Sequence, residues 1–170
     1  LLDQRLLPHA EKWLDITDLD QAIDAITSLV VRGAPAIGIT AAYACVLSAR
    51  EHAADAAARH WQGLWHEDCQ RLLQARPTAV NLRWAIAAMQ QIMDTADGCA
   101  ITSASCAQQD LLEKLEQRAI GIQRDDLAAN QRLATLGSAL LQSDCAIMTH
   151  CNTGALATAG IGTAIGVIVQ

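Results

Sequence analysis

One cysteine and two arginines stand where this chain could do chemistry. Cys151 lies in the run Thr149-His150-Cys151-Asn152-Thr153-Gly154-Ala155-Leu156-Ala157-Thr158-Ala159-Gly160. The stretch Cys145-Ala146-Ile147-Met148 before it reads as a buried strand, and Gly162-Thr163-Ala164-Ile165-Gly166-Val167-Ile168 after it reads as a small-residue helix. The thiol is thus predicted where a strand gives way to a Gly-rich turn and a helix N-terminus, the place where ligands bind in open α/β sheets. A helix N-terminus favours anions and lowers a thiol pKa, so Cys151 is a candidate nucleophile or acid/base group. On position alone such a cysteine is more often an ordinary buried one, a small apolar residue. His150 reads as a hydrogen-bonded structural residue rather than a ligand.

Two other predicted helix starts share this design. Arg32-Gly33-Ala34-Pro35 puts an arginine three residues before a helix-opening proline, and Arg76-Pro77 puts one directly before another. Unpaired N–H groups at a helix start, with a guanidinium beside them, make an anion site, and two such sites converging would hold a phosphate. Gly33 and Ala34 lack bulk, so a ligand oxygen can approach the backbone. The plain alternative is a solvated surface arginine. Gly160, Gly162 and Gly166 have the wrong spacing for a dinucleotide fingerprint, and no ribose-binding acid follows them.

Composition sets the limits. A chain of 170 residues that is 52% hydrophobic and 18% charged is globular, and long enough for one domain with a real core. With no Phe, one Tyr and four Trp, that core must come from Ala, Leu, Ile and Val, which favours close-packed helices. The net charge of −6 and the lack of a basic tract argue against nucleic acid as the main partner. The six cysteines Cys45, Cys69, Cys99, Cys106, Cys145 and Cys151 form no CxxC pair and no Cys/His set with zinc spacing, so no metal site is predicted. A disulfide framework is not expected with this much apolar sequence, which implies a reducing, cytoplasmic compartment. No signal peptide is seen, and the apolar stretches are too rich in Gly, Thr and Ala to predict a membrane span.

The elements that must position these residues follow from periodicity. Residues 1–16 predict two short strands around a turn at Pro8-His9. Thr17 or Asp18 caps a helix whose apolar face is Leu19, Ile23, Ile26 and Val30. Pro35 opens a central helix, from Ala36 to about Arg50, that is apolar nearly all round. A more exposed helix runs from Glu51 to about Ala75, with Trp61 and Trp65 packing one face on the core. Pro77 opens a helix through Met93, Thr95 to Ser105 is a loop, and Ser105–Gly121 and Asp125–Leu141 are helices. The expected fold class is a mainly α domain with a small β element over 1–142, then the start of a Rossmann-like α/β domain over 143–170. A single strand–turn–helix unit has no partner strands, so the chain is expected to be part of something longer or one piece of an assembly.

Four segments resemble the 5-methylthioribose-1-phosphate isomerase family. They are Val30-Val31-Arg32-Gly33-Ala34-Pro35-Ala36-Ile37-Gly38, Arg76-Pro77-Thr78-Ala79-Val80-Asn81-Leu82, Asp126-Leu127-Ala128-Ala129-Asn130 and the Cys151 run; the opening Leu2-Asp3-Gln4-Arg5-Leu6-Leu7-Pro8 fits too. The His-Cys-Asn-x-Gly stretch separates these enzymes from regulatory subunits of the initiation-factor exchange complex, which share the fold. The resemblance implies an aldose–ketose isomerase of methionine salvage, usually a homodimer, that converts a phosphorylated sugar with no metal and no redox cofactor. It implies that Cys151 is the catalytic thiol and that Arg32, Gly33, Ala34 and Arg76 contact the substrate, mainly its phosphate.

The resemblance also places the family's second catalytic residue, an Asp, beyond Gln170, so a complementing C-terminal chain is a possible partner and the 170 residues alone are expected to be inactive. Ile161 stands where a Tyr is usual and Val169 where an Arg is usual. Both changes lower the polarity around the helix after Cys151. The competing readings are a non-catalytic regulatory subunit and a ribose-1,5-bisphosphate isomerase.

Overall fold

The structure, a computed structural model, describes residues 1–54, 61–96 and 104–170. Helix α1 (Leu19–Thr27) starts where Asp18 accepts the Gln21 N–H at 2.8 Å, as the capping residue predicts. Helix α2 (Ala34–Ala54) is the centre of the molecule and packs on α1, α3 (Trp61–Ala75), α4 (Val80–Ala96) and α5 (Ala104–Ser138). Its buried Ala41, Ala42, Ala44 and Ala49 have short side chains, so neighbours can close on it from several sides. The larger residues Ile26, Trp65, Leu72, Ile86, Met89, Met93 and Leu115 fill the spaces between helices. Trp61 and Trp65 do pack on the core, and the buried Trp65 indole N–H donates to the Cys45 carbonyl at 2.8 Å.

A polar cluster ties the outer helices to α2. Asp68 on α3 accepts from Ser48 Oγ at 2.8 Å, pairs with His52 at 2.8 Å and pairs with Arg71 at 2.9 Å. Arg71 also reaches Asp20 on α1. Burial alone would push the Asp68 carboxyl up, but its three partners hold it below the usual carboxylate range.

Several elements differ from expectation. Among the described residues every regular element is helical, and the fold class with a small β element and a Rossmann-like start is not what the chain adopts. The two expected N-terminal strands reduce to one isolated antiparallel bridge, Leu2 with Trp13. Beyond it the ladder cannot continue, because the Gln4 N–H turns away to the Val30 carbonyl at 3.0 Å. The expected strand at Cys145–Met148 is an irregular, exposed segment with Met148 97% exposed. A strand is held by its neighbours, and this one has none among the described residues.

The helix limits also move. Ser105–Gly121 and Asp125–Leu141 are one helix, α5, because a single buried stripe of Leu111, Leu115, Ala119, Ile122, Asn130 and Ala134 runs through both. Pro77 opens a turn rather than a helix. Ala79 N–H donates to the Arg76 carbonyl at 2.9 Å, which puts Pro77 at the second turn position that proline favours, and α4 begins at Val80. Most of the loop expected at 95–105, the middle of the helix expected from Glu51, and Cys99 lie outside the described residues.

Candidate functional site

Gly33 ends the turn into α2 with φ +99°, a conformation that a side chain would strain. Its missing Cβ is also required by packing, since an added one would lie 2.5 Å from the Ala157 Cα. The start of α2 therefore sits directly on the loop that follows Cys151. Among the described residues the N–H groups of Gly33, Ala34 and Ala36 meet no acceptor, and Pro35 has no N–H to satisfy. Ala34 and the neighbouring Arg32 are both exposed.

Gln4 fixes that junction. Its carbonyl accepts from the Arg32 guanidinium at 2.8 Å, and its side-chain amide donates to the Leu156 carbonyl at 2.8 Å. Gln4 is itself buried, so the opening segment forms a strut between the Arg32 turn and the Cys151 loop. Next to it, Asp3 and Arg5 pair at 2.7 Å, and the Arg5 guanidinium holds the Asp3 carboxyl below its usual range. No sequence signal marked Gln4 as a contact of the site beyond its place in the opening run.

The loop is shaped by its own polar residues. Cys151 is exposed and takes φ +62°, a left-handed conformation that is uncommon for a non-glycine residue. The hydroxyls of Thr149 and Thr153 meet at 3.1 Å around it. The buried Thr158 Oγ1 accepts the N–H groups of Gly160 at 3.3 Å and Gly162 at 3.2 Å. A short 3-10 turn, Ala155–Ala157, follows Cys151, and the small-residue helix expected over 162–168 is α6, Ala164–Val169. Its leading N–H groups already bond to the Thr153 carbonyl, from Thr163 at 2.9 Å and from Ile165 at 3.4 Å. The thiol thus does not sit on a helix N-terminus, contrary to the sequence reading. His150 is exposed and has no hydrogen-bond partner among the described residues, so it is not the hydrogen-bonded structural histidine expected.

Asp126 on α5 supplies the outer support. Its Oδ2 accepts the Ala159 N–H at 2.7 Å, while its own carbonyl takes the side chain of the buried Asn130 at 2.9 Å. The Leu127 side chain closes against Gly160, where a Cβ would lie 2.3 Å from Leu127 Cδ1. An Asp and an Asn at i, i+4 on a helix carry no separate signal for this role, because the acceptor's partner is 33 residues away in sequence.

Arg76 lies in the turn between α3 and α4. Gly38 of α2 packs on Asn81 so closely that a Cβ would lie 2.9 Å from the Asn81 carbonyl oxygen, which brings the segment after Arg76 against α2. The half-buried Arg76 guanidinium has no hydrogen-bond or ion-pair partner among the described residues. A cleft of about 500 Å³ opens between α2, α4 and α5, lined in part by Pro35, Gly38, Asn81, Asp125 and Asp126. The four segments singled out in the sequence are therefore neighbours in space. No hydrogen bond joins Arg32, Arg76 and Cys151 to one another among the described residues; the fold brings their segments, not their side chains, into contact. No cluster of three or more His, Cys, Asp or Glu that could hold a metal occurs among the described residues. No helix there is long and apolar enough to cross a membrane.

Comparison with known proteins gives a consistent picture. The model of the Initiation factor 2 subunit family matches residues 30–170. Over 168 residues the chain is 49% identical to the methylthioribose-1-phosphate isomerase of Thioalkalivibrio sulfidiphilus, covering 99% of this chain and 44% of that protein. It is 48% identical over 168 residues to the protein of the same name from Alkalilimnicola ehrlichii, with coverage of 99% and 45%. In structure it matches the 5-methylthioribose 1-phosphate isomerase of Pyrococcus horikoshii with a TM-score of 0.84 at 31% identity, over 99% of this chain and 45% of that one. It matches the delta subunit of translation initiation factor eIF-2B from A. fulgidus with a TM-score of 0.83 at 30% identity, over 99% and 47%. The chain thus spans less than half the length of the relatives it matches.

Proposed function

The chain belongs to the Initiation factor 2 subunit family, and on that premise we propose that it carries part of the active site of an aldose–ketose isomerase acting on 5-methylthioribose 1-phosphate in methionine salvage. The two structural matches have nearly the same TM-score, so fold does not choose between enzyme and regulatory subunit. Relatives at 44–49% identity are named as the isomerase, and that supports the enzyme. The observation that carries the reading is the contact of the Arg32-Gly33-Ala34 turn with the loop of Cys151.

The roles follow from chemistry. The unpaired N–H groups of Gly33 and Ala34, with Arg32 and Arg76, bind the phosphate on C1. That phosphate blocks easy opening to a free aldehyde, so the enzyme must open the ring and move a hydrogen from C2 to C1. The Cys151 thiol is one acid/base group of that transfer, on an exposed residue of a loop braced by the Thr149–Thr153 contact. No atoms are gained or lost, and neither a metal nor a redox cofactor takes part.

The same reading makes the protein a cytoplasmic homodimer, or one chain completed by another. The free thiols Cys45, Cys69, Cys145 and Cys151 support a reducing compartment. Isomerase kinetics on the full-length protein test the phosphate roles. Arg32→Ala and Arg76→Ala are expected to raise KM by about tenfold or more each, since a charged hydrogen bond contributes roughly 1.5–3 kcal/mol. An unchanged KM in both variants contradicts them.

A further inference from the structure

We propose that Gln4 is a positioning residue for Cys151: its side-chain amide takes the carbonyl on which the 3-10 turn after Cys151 would extend, and so stops that turn and sets the path of the loop. Its effect on turnover rests on the isomerase reading above. A 3-10 turn grows by one bond at a time, from an N–H to the carbonyl three residues back. Here the Ala157 N–H donates to the Gly154 carbonyl at 3.0 Å and the Thr158 N–H to the Ala155 carbonyl at 3.3 Å. The next bond of the series, from the Ala159 N–H to the Leu156 carbonyl, is not made. Asp126 takes that N–H at 2.7 Å, and Gln4 Nε2 donates to that carbonyl at 2.8 Å. Two side chains thus replace one backbone bond. Thr158 is left extended, at φ −134° and ψ −175°, and its hydroxyl is free to gather the Gly160 and Gly162 N–H groups.

Gln4 can stop the turn because it is itself fixed. It is 5% exposed, its N–H donates to the Val30 carbonyl at 3.0 Å, and its carbonyl accepts from Arg32 at 2.8 Å. On either side of it Asp3 and Arg5 pair, and Arg5 also donates to Ser28 Oγ at 3.2 Å. All of these bonds belong to the Gln4 backbone or to its neighbours. Only the side chain of Gln4 reaches the Cys151 loop, 152 positions along the chain. A change of that side chain therefore alters the loop and leaves the hold on the Arg32 turn in place. The Leu156 carbonyl then lacks a partner, and it pairs with the Ala159 N–H once Asp126 also releases that group.

The test uses the full-length protein with Gln4→Met, Gln4→Glu, Asp126→Ala and the double variant Gln4→Met/Asp126→Ala, each checked for fold by circular dichroism. Gln4→Glu keeps the shape of the side chain and removes only the donor, so it serves if the methionine variant does not fold. Either Gln4 variant is expected to lower kcat by about tenfold or more, through misplacement of the Cys151 loop. KM is expected to stay within about twofold, because binding by the Arg32 turn is retained. Amide hydrogen exchange at Ala159 gives a readout independent of turnover. It is expected to quicken by about tenfold in Asp126→Ala, and to slow again in the double variant, where the Ala159 N–H finds the released Leu156 carbonyl. Wild-type kcat in a folded Gln4 variant, or a KM that rises as much as kcat falls, overturns the positioning role and leaves the isomerase reading standing. Exchange at Ala159 as fast in the double variant as in Asp126→Ala overturns the stopped turn. No turnover by wild type overturns the isomerase reading, and the exchange pattern alone then decides the role of Gln4 in the turn.

Discussion

Gly33 and Ala157 touch backbone to backbone: a Cβ on Gly33 would lie 2.5 Å from both Cα and Cβ of Ala157. This contact joins the turn that carries Arg32 to the loop that carries Cys151, across 124 residues of chain. Gly33→Ala would have to move one segment or the other, and its φ of +99° adds strain. The variant is expected to lose about 1–3 kcal/mol of stability. Isomerase activity should fall by about 10² or more, because misplacement by 1 Å is enough to cost that. Denaturant melts and steady-state kinetics check both.

Asp126 holds the other end of the same loop through the Ala159 N–H. Removing the acceptor in Asp126→Ala leaves that amide without its partner, at a cost of about 1–3 kcal/mol. Hydrogen exchange at Ala159 should quicken, and kcat should fall more than KM rises. Asp126→Asn keeps an acceptor oxygen and should recover much of the loss. Equal defects in both variants contradict a positioning role.

The Asp68 cluster predicts how stability depends on pH. A carboxylate whose folded pKa lies below its unfolded value stabilises fully above the unfolded value, near 3.8. That contribution is lost as pH falls through the folded value, so the loss belongs below about pH 4. Asp3, held low by Arg5, acts in the same direction. Denaturant midpoints between pH 6 and pH 3 should fall steeply for wild type and less steeply for Asp68→Asn. The variant should also be less stable at neutral pH by about 1–3 kcal/mol, having lost charged hydrogen bonds.

The cysteines should separate by reactivity. Cys45 and Cys69 are buried with their sulfurs 3.9 Å apart, and this neighbour together with burial pushes the Cys69 thiol well above its usual range. Cys145 and Cys151 are exposed. Alkylation of native protein followed by mass spectrometry should label the exposed pair first and the buried pair only on unfolding. Early labelling of Cys69 contradicts the packing of α2 on α3.

Much of the helical body was legible because its signals are local. The Asp18 cap, the Trp61/Trp65 face and the all-round apolar run of α2 each state their own role in a few residues. The turn at Gly33 was legible for the same reason. What the sequence misled on depends on partners far along the chain. Cys145-Ala146-Ile147-Met148 has the composition of a buried strand, but composition does not supply the neighbour that would pair with it. The Leu2–Trp13 bridge stops after one pair because Val30 captures Gln4. Gly121 reads as a helix end, yet the buried stripe from Leu111 to Ala134 outweighs the roughly 1 kcal/mol that an internal glycine costs. Of the site, Arg32, Gly33, Ala34 and Cys151 were visible as types in a pattern. Gln4 and Asp126 were not, since a single glutamine or aspartate reveals nothing about a hydrogen-bond partner more than 30 residues away.

In the proposed reaction Cys151 is one acid/base group of the hydrogen transfer of a sugar-phosphate isomerisation. The direct measurement is isomerase turnover of 5-methylthioribose 1-phosphate by the full-length protein, wild type against Cys151→Ala, with the fold of each checked by circular dichroism. Turnover by wild type, reduced about 10²–10⁴-fold in a folded Cys151→Ala, is the expected result for loss of an acid/base group. A folded variant that keeps wild-type turnover, or a wild type with none, would contradict it.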